Sequence, residues 1–485
     1  MLLKRFYHEG LAQASYLVGC QQTGDAVVVD ANRDVEQYVA AAAAHGLRIT
    51  TVTETHIHAD YVSGSRELAA ATDAVLLLSG EGGPDWHYAF AEAARARLLY
   101  DGDQFQVGNV RVDVVHTPGH TPEHLTFVVT DTLASERPIG AFTGDFIFVG
   151  DVGRPDLLER AAGLEGTMRA GAKLLFESLR RFTEHYPDYL QLWPGHGAGS
   201  ACGKSLGAVP QSTLGYEKLV NWAFQIDNEA RFVEAVLDGQ PDPPTYFATM
   251  KRINREGPLP LGGLPVPPRR AAPDVAHVLA RGDIVIDLRR QASFAAGFVP
   301  GTISIPLNRG FVGYAGWILP YDRDLYFLSD SEDDGEARRA AAELALIGLD
   351  RVAGWFGPDV FSIWSLGGRE LGTIRRPTAP QLAAELDRSA AAPAILDVRA
   401  ESEWQEGHIP RATLVPLGRL ASSVQDRPRD EPLVLVCRSG NRSGIGASLL
   451  ASMGFTNVAN LRDGMIGWEQ AGLPVEREDH ALAPR

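Results

Sequence analysis

ITTVTETHIHADYVSG, residues Ile49 to Gly64, is the stretch that decides the fold of this sequence. Its opening run, ITTVTE, is rich in β-branched side chains and predicts a buried strand. The strand leads directly into THIHAD, where His56, His58 and Asp60 stand at metal-ligand spacing on an extended turn. Tyr61 follows, and a neutral phenol is a far poorer ligand for a divalent ion than an imidazole. The stretch therefore predicts a metal site at a strand end and leaves open whether that site holds one ion or two.

Three further strands in the first half of the chain end in the same way. VRVDVVHTPGH ends at His120, IGAFTGD ends at Asp145, and YLQLWPGH ends at His196. Ala-rich helical patterns alternate with these strands, which is typical of a sheet covered by helices. The polar side chains should therefore gather at one sheet edge. Among them, two imidazoles and one carboxylate suit a non-haem Fe(II) site with open positions.

The bulk composition limits the classes of protein that this chain can belong to. Its 485 residues predict about three domains. A net charge of −16, without blocks of Lys and Arg, argues against nucleic acid as a partner. No apolar run reaches the roughly 20 residues that cross a bilayer, so we expect no membrane partner. Because Cys20, Cys202 and Cys437 lie far apart and no signal-like stretch follows MLLKRFYHEG, we expect a cytoplasmic protein without a disulfide framework.

A proline-rich connector and an internal repeat divide the chain. GPLPLGGLPVPPRRAAP, from Gly257 to Pro273, is too rich in proline and glycine for a helix or a central strand. Two related segments follow it, with motif aspartates at Asp287 and Asp397, and later glycines and prolines keep the offset 397 − 287 = 110. The predicted domains are residues 1–256, 270–375 and 376–478.

A cysteine loop, CRSGNRS, stands in the second of these segments, between the apolar strand PLVLV and a helical pattern. Cys437 at such a junction faces the helix dipole and a curl of backbone N–H groups, which stabilise negative charge on its sulfur. Arg438 and Arg442 add positive charge, so the loop is predicted to hold a persulfide or a sulfur oxyanion. The first segment has DSEDDG where this loop should stand and contains no cysteine. It should lack transfer chemistry.

The ligand motifs HxHxD, HTPGH, TGD and GH, in this order, resemble the metallo-β-lactamase superfamily over about the first 250 residues. The resemblance implies an αβ/βα sandwich with its metal at the sheet edge. In hydrolases similar to glyoxalase II, an aspartate like Asp145 bridges two metals, and the second needs a histidine where Tyr61 stands. With that histidine replaced, and with DVGRPDL after TGD, the sequence resembles instead the persulfide dioxygenase branch, which uses a single iron.

This branch implies one Fe(II) per chain, held by His56, His120 and Asp145. The groups expected around these ligands, supporting them or ordering water, are His58, Asp60 and His196. His116 and His124, which flank His120, are expected to be structural.

Two further residues have open roles. Arg154 is a candidate fork donor to a substrate carboxylate, or else a donor that stabilises the fold. Cys202, in the loop after His196, is a candidate contact for substrate sulfur, or else a small buried residue.

The text LDVRxxxEWxxGHIPxA together with CRSGNRS closely resembles a rhodanese, a sulfurtransferase domain. It implies that Cys437 carries sulfur beside Arg438 and Arg442, while Asp397 and Arg399 hold the fold. The complete fold class expected is α/β, with an N-terminal αβ/βα sandwich followed by two rhodanese-type domains with parallel sheets.

Together the resemblances imply a bifunctional enzyme of sulfide detoxification. It would oxidise a low-molecular-weight thiol persulfide with dioxygen to sulfite, and its rhodanese domain would give or use thiosulfate. A homo-oligomer is also expected. Two alternatives stay open: a dinuclear zinc hydrolase of the glyoxalase II type with an attached sulfurtransferase, or a non-enzymatic sulfur carrier or sensor. The carrier thiol and the direction of transfer are not fixed by the sequence.

Overall fold

The computed structural model describes residues 1–157, 159, 166–204, 206–388 and 392–477. The chain divides into two compact units, Met1–Leu264 with Ala345–Gly348, and Pro265–Leu344 with Leu349–Arg485. The three domain ranges from the sequence stay a prediction, and their last limit, residue 478, lies outside the described residues.

Two six-stranded sheets form the first unit. One sheet has the order β1 (Leu2–His8), β2 (Gln13–Cys20), β3 (Asp25–Val29), β4 (Arg48–Thr53), β5 (Val75–Ser79) and β6 (Arg97–Leu99). The other has the order β12 (Ser212–Thr213), β11 (Gln191–Pro194), β10 (Gly140–Gly144), β9 (Leu125–Asp131), β8 (Val110–His116) and β7 (Gln104–Val107). Strands β3 to β6 pair in parallel, and so do β10 and β11. Parallel strands bring their carboxyl ends to one sheet edge, which is where the predicted ligands begin.

Three apolar layers hold this unit together. Val18, Val112 and Phe127 belong to a core between the two sheets. Helices cover both outer faces: α1 (Glu36–Ala44), α2 (Ser65–Thr72), α3 (Thr167–His185), α4 (Leu214–Val220), α5 (Glu229–Leu237) and α6 (Phe247–Glu256). The apolar face of α3 packs with the second sheet through Leu175 and Val128. The result is the helix–sheet–sheet–helix sandwich that the sequence predicts.

Two four-stranded parallel sheets form the second unit. The first has the order β14 (Ile303–Ser304), β13 (Ile284–Asp287), β15 (Leu325–Leu328) and β16 (Val352–Phe356), with helices α7 (Val275–Ala280), α8 (Gln291–Ala296), α9 (Phe311–Ile318), α10 (Gly335–Leu346) and α11 (Asp359–Leu366). The second has the order β18 (Thr413–Leu414), β17 (Ala394–Asp397), β19 (Leu433–Val436) and β20 (Val458–Asn460), with α12 (Ala379–Arg388), α13 (Glu401–Glu406), α14 (Leu420–Ser423), α15 (Asn441–Ser452) and α16 (Gly464–Gln470). The parallel sheets are as predicted.

The two sheets of the second unit repeat one framework, as the offset of 110 in the sequence indicates. Strands β13 and β17 occupy the same place in their sheets. Arg399 forks the Asp397 carboxylate at 2.8–3.0 Å and donates to Gly407 O at 2.8 Å. The first copy makes the same bonds from its own arginine at 2.7–3.1 Å. These buried pairs hold the fold, the role expected for Asp397 and Arg399.

No helix within the described ranges combines the length and the apolar character needed to cross a membrane.

Candidate metal centre and cysteine loop

Six buried side chains meet where four strands of the first unit end. They are His56, His58 and Asp60 after β4, His120 after β8, Asp145 after β10, and His196 after β11. All six are exposed by 4 % or less. The sheet topology thus brings together the motifs that the sequence places far apart.

His56, His120 and Asp145 form one compact group, with one ligand atom from each lying within 4.8 Å of the others. Asp145 Oδ2 lies 3.4 Å from His120 Nε2 and 3.9 Å from His56 Nε2. Neither oxygen of the Asp145 carboxylate accepts a hydrogen bond from any residue that the structure describes. A buried carboxylate in that state is costly unless a cation compensates it. The donor set therefore fits a divalent metal ion.

Hydrogen bonds fix the rings of both histidines in the form that binds a metal. His120 Nδ1 lies 2.9 Å from the Arg154 carbonyl, which can only accept, so Nδ1 donates and Nε2 keeps its lone pair. Thr55 Oγ1 donates to Asp30 and lies 2.9 Å from His56 Nδ1, which points to the same tautomer for His56. Burial lowers the pKa of His120, and burial with the neighbouring imidazoles lowers that of His56 further. Both rings are therefore neutral near pH 7.

Arg154 is fully buried, and its guanidinium donates hydrogen bonds to neighbouring protein groups. It forks Asp156 through two bonds of 2.7 Å and donates to Ala201 O at 3.1 Å. Together with the bond from His120 to its carbonyl, these contacts favour the fold-stabilising role for Arg154 over a substrate contact.

His58 and Tyr61 both contact Asp30, and His58 also has a buried Nδ1 that bonds to none of the described residues, with its ring centroid 4.3 Å from that of His56. His58 Nε2 lies 3.1 Å from Asp30 Oδ1, and although burial opposes it, this carboxylate raises the pKa of His58 to about 9. The Tyr61 hydroxyl donates to Asp30 O at 3.1 Å. His124, which stacks on His56, accepts from Asp145 N at 3.1 Å and so holds the backbone of that ligand. Its structural role is as expected.

Asp60, His196 and Cys202 form a second buried group, again with ligand atoms within 4.8 Å of one another. His196 Nε2 lies 3.4 Å from Asp60 Oδ2 and 3.4 Å from Asp145 Oδ1. The sequence places Asp60 and His196 beside the metal and puts Cys202 in the loop after His196, as a candidate contact for substrate sulfur or a small buried residue; the structure buries Cys202 next to both. That placement depends on the path of the loop after β11.

The cysteine loop of the second unit curls around Cys437, which is buried at the end of β19. Gly440 N donates to Cys437 Sγ at 3.2 Å, and Ser443 Oγ lies 3.2 Å from the same sulfur. Gly440 has a φ of 87°, and a Cβ there would lie 2.1 Å from Arg462 O, so only glycine fits. The loop holds the sulfur at the start of α15, as the sequence predicts.

The two arginines of this loop differ. Arg438 is exposed, whereas Arg442 forks Glu403 through two bonds of 2.6 Å. Partial burial opposes ionisation of Glu403, but the hydrogen bonds from Arg442 lower the pKa of its carboxyl below the usual value. Glu403 belongs to the EW motif, and its pairing with Arg442 is a site contact that sequence reasoning missed.

Ser329 stands in the first copy where Cys437 stands in the second, directly after the matching strand β15. Its hydroxyl accepts from Ser331 N at 3.0 Å, and Asp333 Oδ1 accepts from Gly335 N at 3.0 Å. Acidic and hydroxyl side chains of the loop therefore accept hydrogen bonds from backbone N–H groups of this turn. The absence of transfer chemistry in this copy stays a prediction.

Comparison of the chain with known protein families finds one match in each of its two units. Residues 8–193 match the metallo-beta-lactamase superfamily, and residues 378–471 match the rhodanese-like domain. The chain belongs to the metallo-beta-lactamase superfamily and carries a C-terminal rhodanese-like domain.

Particular relatives divide between the expected activities. A crystal structure described as a metallo-beta-lactamase from Staphylococcus aureus subsp. aureus COL is 42% identical with a TM-score of 0.65, over 74% of this chain and 99% of that one. The hydroxyacylglutathione hydrolase of Nitrosococcus oceani is 28% identical over 50% of this chain and 94% of its own. The mitochondrial persulfide dioxygenase ETHE1 of Bos taurus is 27% identical over 40% of this chain and 68% of its own. A sulfurtransferase of Allochromatium vinosum is 36% identical over 17% of this chain and 76% of its own.

Proposed function

We propose that the chain is an iron-dependent persulfide dioxygenase joined to a rhodanese sulfurtransferase. It oxidises a low-molecular-weight thiol persulfide to sulfite and gives or uses thiosulfate. The observation that carries the proposal is the presence, in one chain, of a buried group of two neutral imidazoles and an unpaired carboxylate and of a loop that holds a cysteine sulfur. The similarity to a persulfide dioxygenase and to a sulfurtransferase supports the pairing.

The residues of the first unit prepare the site for oxidation. The Arg154 carbonyl and Thr55 fix the two imidazole rings, so that both present Nε2. Fe(II) held by His56, His120 and Asp145 would supply the binding and activation of dioxygen. The overall reaction is RSSH + O₂ + H₂O → RSH + SO₃²⁻ + 2 H⁺. The terminal sulfur is oxidised and dioxygen is reduced, so no further reductant is needed.

The residues of the cysteine loop handle sulfane sulfur. A second persulfide transfers its outer sulfur to Cys437, its S–S bond breaks, and the thiol RSH leaves. Sulfite then attacks the outer sulfur on Cys437, forms the new S–S bond of thiosulfate and releases the cysteine thiolate. The Gly440 N–H stabilises the negative charge on Cys437 Sγ, and the exposed Arg438 attracts the sulfite anion. The reverse direction would supply persulfide from thiosulfate.

A second candidate function is a dinuclear hydrolase of glutathione thioesters. The group of Asp60, His196 and Cys202 favours it because it offers donors for a second ion. The similarity to a hydroxyacylglutathione hydrolase points the same way. A non-enzymatic sulfur carrier remains the third candidate, and it requires no oxygen uptake.

Oxygen uptake by iron-loaded protein on addition of a persulfide tests the proposal. We expect uptake and sulfite release by wild type. Asp145→Ala should lose iron and uptake, because it removes the only carboxylate of the ligand set. Cys437→Ser should keep uptake but form no thiosulfate. Anaerobic hydrolysis of a glutathione thioester by protein with two zinc ions, without oxygen uptake in the iron form, would contradict the proposal. Persulfides of different thiols in the same assay identify the carrier.

A further inference from the structure

We propose that Asn254 of helix α6 is a positioning residue, which holds the loop that carries His56, His58 and Asp60 in the shape that metal binding requires. The inference rests on the metal centre of the proposed function but on neither candidate reaction, because a support of the ligand loop would serve iron or zinc alike. It gives a functional role to a helix that supplies none of the candidate ligands.

The ligand loop, residues 54–64, joins β4 to α2 and lies outside any helix or strand. All of its residues except Ala59 are buried, so its backbone N–H and carbonyl groups need partners within the protein. An irregular buried loop keeps a single shape only where such partners hold it. The positions of His56, His58 and Asp60 therefore depend on the groups that bond to this backbone.

The Asn254 side chain bonds to the ligand loop at three points. Its Nδ2 donates to His58 O at 2.8 Å and to Tyr61 O at 2.7 Å. Its Oδ1 accepts from Ser63 N at 2.9 Å. Both amide hydrogens and the amide oxygen are thus used. Because these partners stand on both sides of Asp60 in the sequence, the three bonds fix the backbone that carries this carboxylate.

Contacts outside the ligand loop anchor helix α6. Lys251 Nζ lies 3.6 Å from the centroid of the Trp86 ring, and Arg255 O accepts from Ala89 N at 2.8 Å. Asn254 therefore extends from a helix that is also held elsewhere in the first unit. Its side chain is only 1% exposed, so bulk water does not compete for its three bonds.

Loss of the amide would leave the carbonyls of His58 and Tyr61 buried without these donors, which is costly. The loop would then shift until other groups or water reach the two carbonyls. Since His56 and Asp60 lie on the same loop, their side chains would move with its backbone. Outer partners that orient ligands typically contribute about 10–100-fold to metal affinity.

Titration of metal-free protein with Co²⁺, without dioxygen or persulfide, tests the role of Asn254. Asn254→Ala should bind the first equivalent at least about tenfold more weakly than wild type. The visible absorption of the bound cobalt should also change, because the ligands are held differently. Cooperative urea unfolding of the metal-free variant shows that it is folded. Asn254→Ser, which keeps a hydroxyl, is the second variant and should change both readouts in the same direction.

Asn221→Ala is the matched control. Asn221 is also buried in the first unit, and its side chain bonds to Asp151 O, Glu217 Oε2 and Ala223 N at 2.9–3.1 Å. This control should lose stability in urea but keep the wild-type affinity for Co²⁺ and the wild-type absorption.

Equal Co²⁺ affinity of wild type and both Asn254 variants would overturn the proposal. An equal loss of affinity in Asn221→Ala would do the same, since affinity would then follow stability alone. Oxygen uptake by the iron form is read separately, so failure of the dioxygenase proposal is distinguishable from failure of this one.

Discussion

At the scale of single residues, Asp145 is the carboxylate of the candidate metal centre in the first unit. Its Oδ2 faces His120 and its Oδ1 faces His196, and no described donor satisfies either oxygen. His124 accepts from its backbone N–H and so holds the backbone of this residue in place. The orphaned charge is a folding cost that ion binding removes. Metal affinity and local stability are therefore linked at this residue.

The Glu403–Arg442 pair makes a pH-dependent contribution to the free energy of unfolding of the second unit. Because the pKa of Glu403 is lowered on folding, the pair stabilises the fold fully above about pH 4.3, the ordinary value for glutamate. The stabilisation is lost as the pH falls through the lowered value. Both side chains are under one quarter exposed, at 24% and 23%, so the pair should contribute about 1 kcal/mol.

We expect Glu403→Gln to reduce the free energy of unfolding by that amount at pH 6 to 8, and by progressively less below pH 4. Urea unfolding at several pH values measures the difference. Glu385→Gln, which breaks the more exposed pair with Arg375, should cost less. A Glu403→Gln deficit that grows as the pH falls would refute the assigned sign.

The position of a residue relative to the strands decides whether its place in the site can be predicted from the sequence. His56, His120 and Asp145 are predictable because each follows a strand, and the strands β4, β8 and β10 end at the same edge of the sandwich. The nearness of Cys202 to the site is predictable from its loop after His196, but the partner of Glu403 is not, because it lies in a different helix. Tyr61 was predicted to be a weak ligand from its phenol, but its bond to Asp30 follows only from the fold.

At the scale of elements, the first rhodanese-like copy packs against the second inside one unit. Ser448 Oγ of α15 accepts from Ser304 N of β14 at 2.9 Å. Trp317 of α9 lies against Gly418, where an added Cβ would come 2.0 Å from the indole Cε3. The copy without a cysteine thus supports the helix that begins at the cysteine loop. This is the packing role that its sequence indicates.

Two glycine substitutions measure that packing. Gly418→Ala should destabilise the unit by about 1–3 kcal/mol, because a methyl group enters a filled contact with Trp317. Gly313→Ala, within α9, meets nothing within 4 Å and should stabilise by about 0.5–1 kcal/mol. Denaturant unfolding followed by tryptophan fluorescence compares the two variants. Equal effects in the same direction would show that α9 is not packed as described.

Element boundaries follow from local sequence more closely than loop paths do. The strand β4 and the helix α1 appear where β-branched and Ala-rich runs predict them, and the repeat of Asp287 at Asp397 predicts matching strands. The sequence gives no rule for the partner of a loop side chain, because the loop backbone has no periodicity that assigns a face. The rhodanese framework was therefore predictable, whereas the filled turn after β15 was not.

On the scale of the whole molecule, the proposed function connects the two sites through a small product, sulfite. Sulfite, as proposed, leaves the first site as a free anion and is not held by any covalent bond. The protein carries a net charge of −16, so anions are attracted only where local positive charge is exposed, as at Arg438. The second site must then compete for sulfite from solution. Fusion in one chain fixes the ratio of the two proposed sites at one to one.

Mixing two defective variants tests whether sulfite is exchanged through solution. Cys437→Ser should release sulfite but make no thiosulfate, and Asp145→Ala should transfer sulfur but make no sulfite. Because sulfite diffuses freely, an equimolar mixture given persulfide and dioxygen should regain thiosulfate formation, with a rate that rises as more Asp145→Ala protein is added. Each variant alone is the control for spontaneous reaction of sulfite with persulfide. If both single activities are intact and the mixture still makes no thiosulfate, sulfite released to solution does not reach the cysteine loop, and free exchange is wrong.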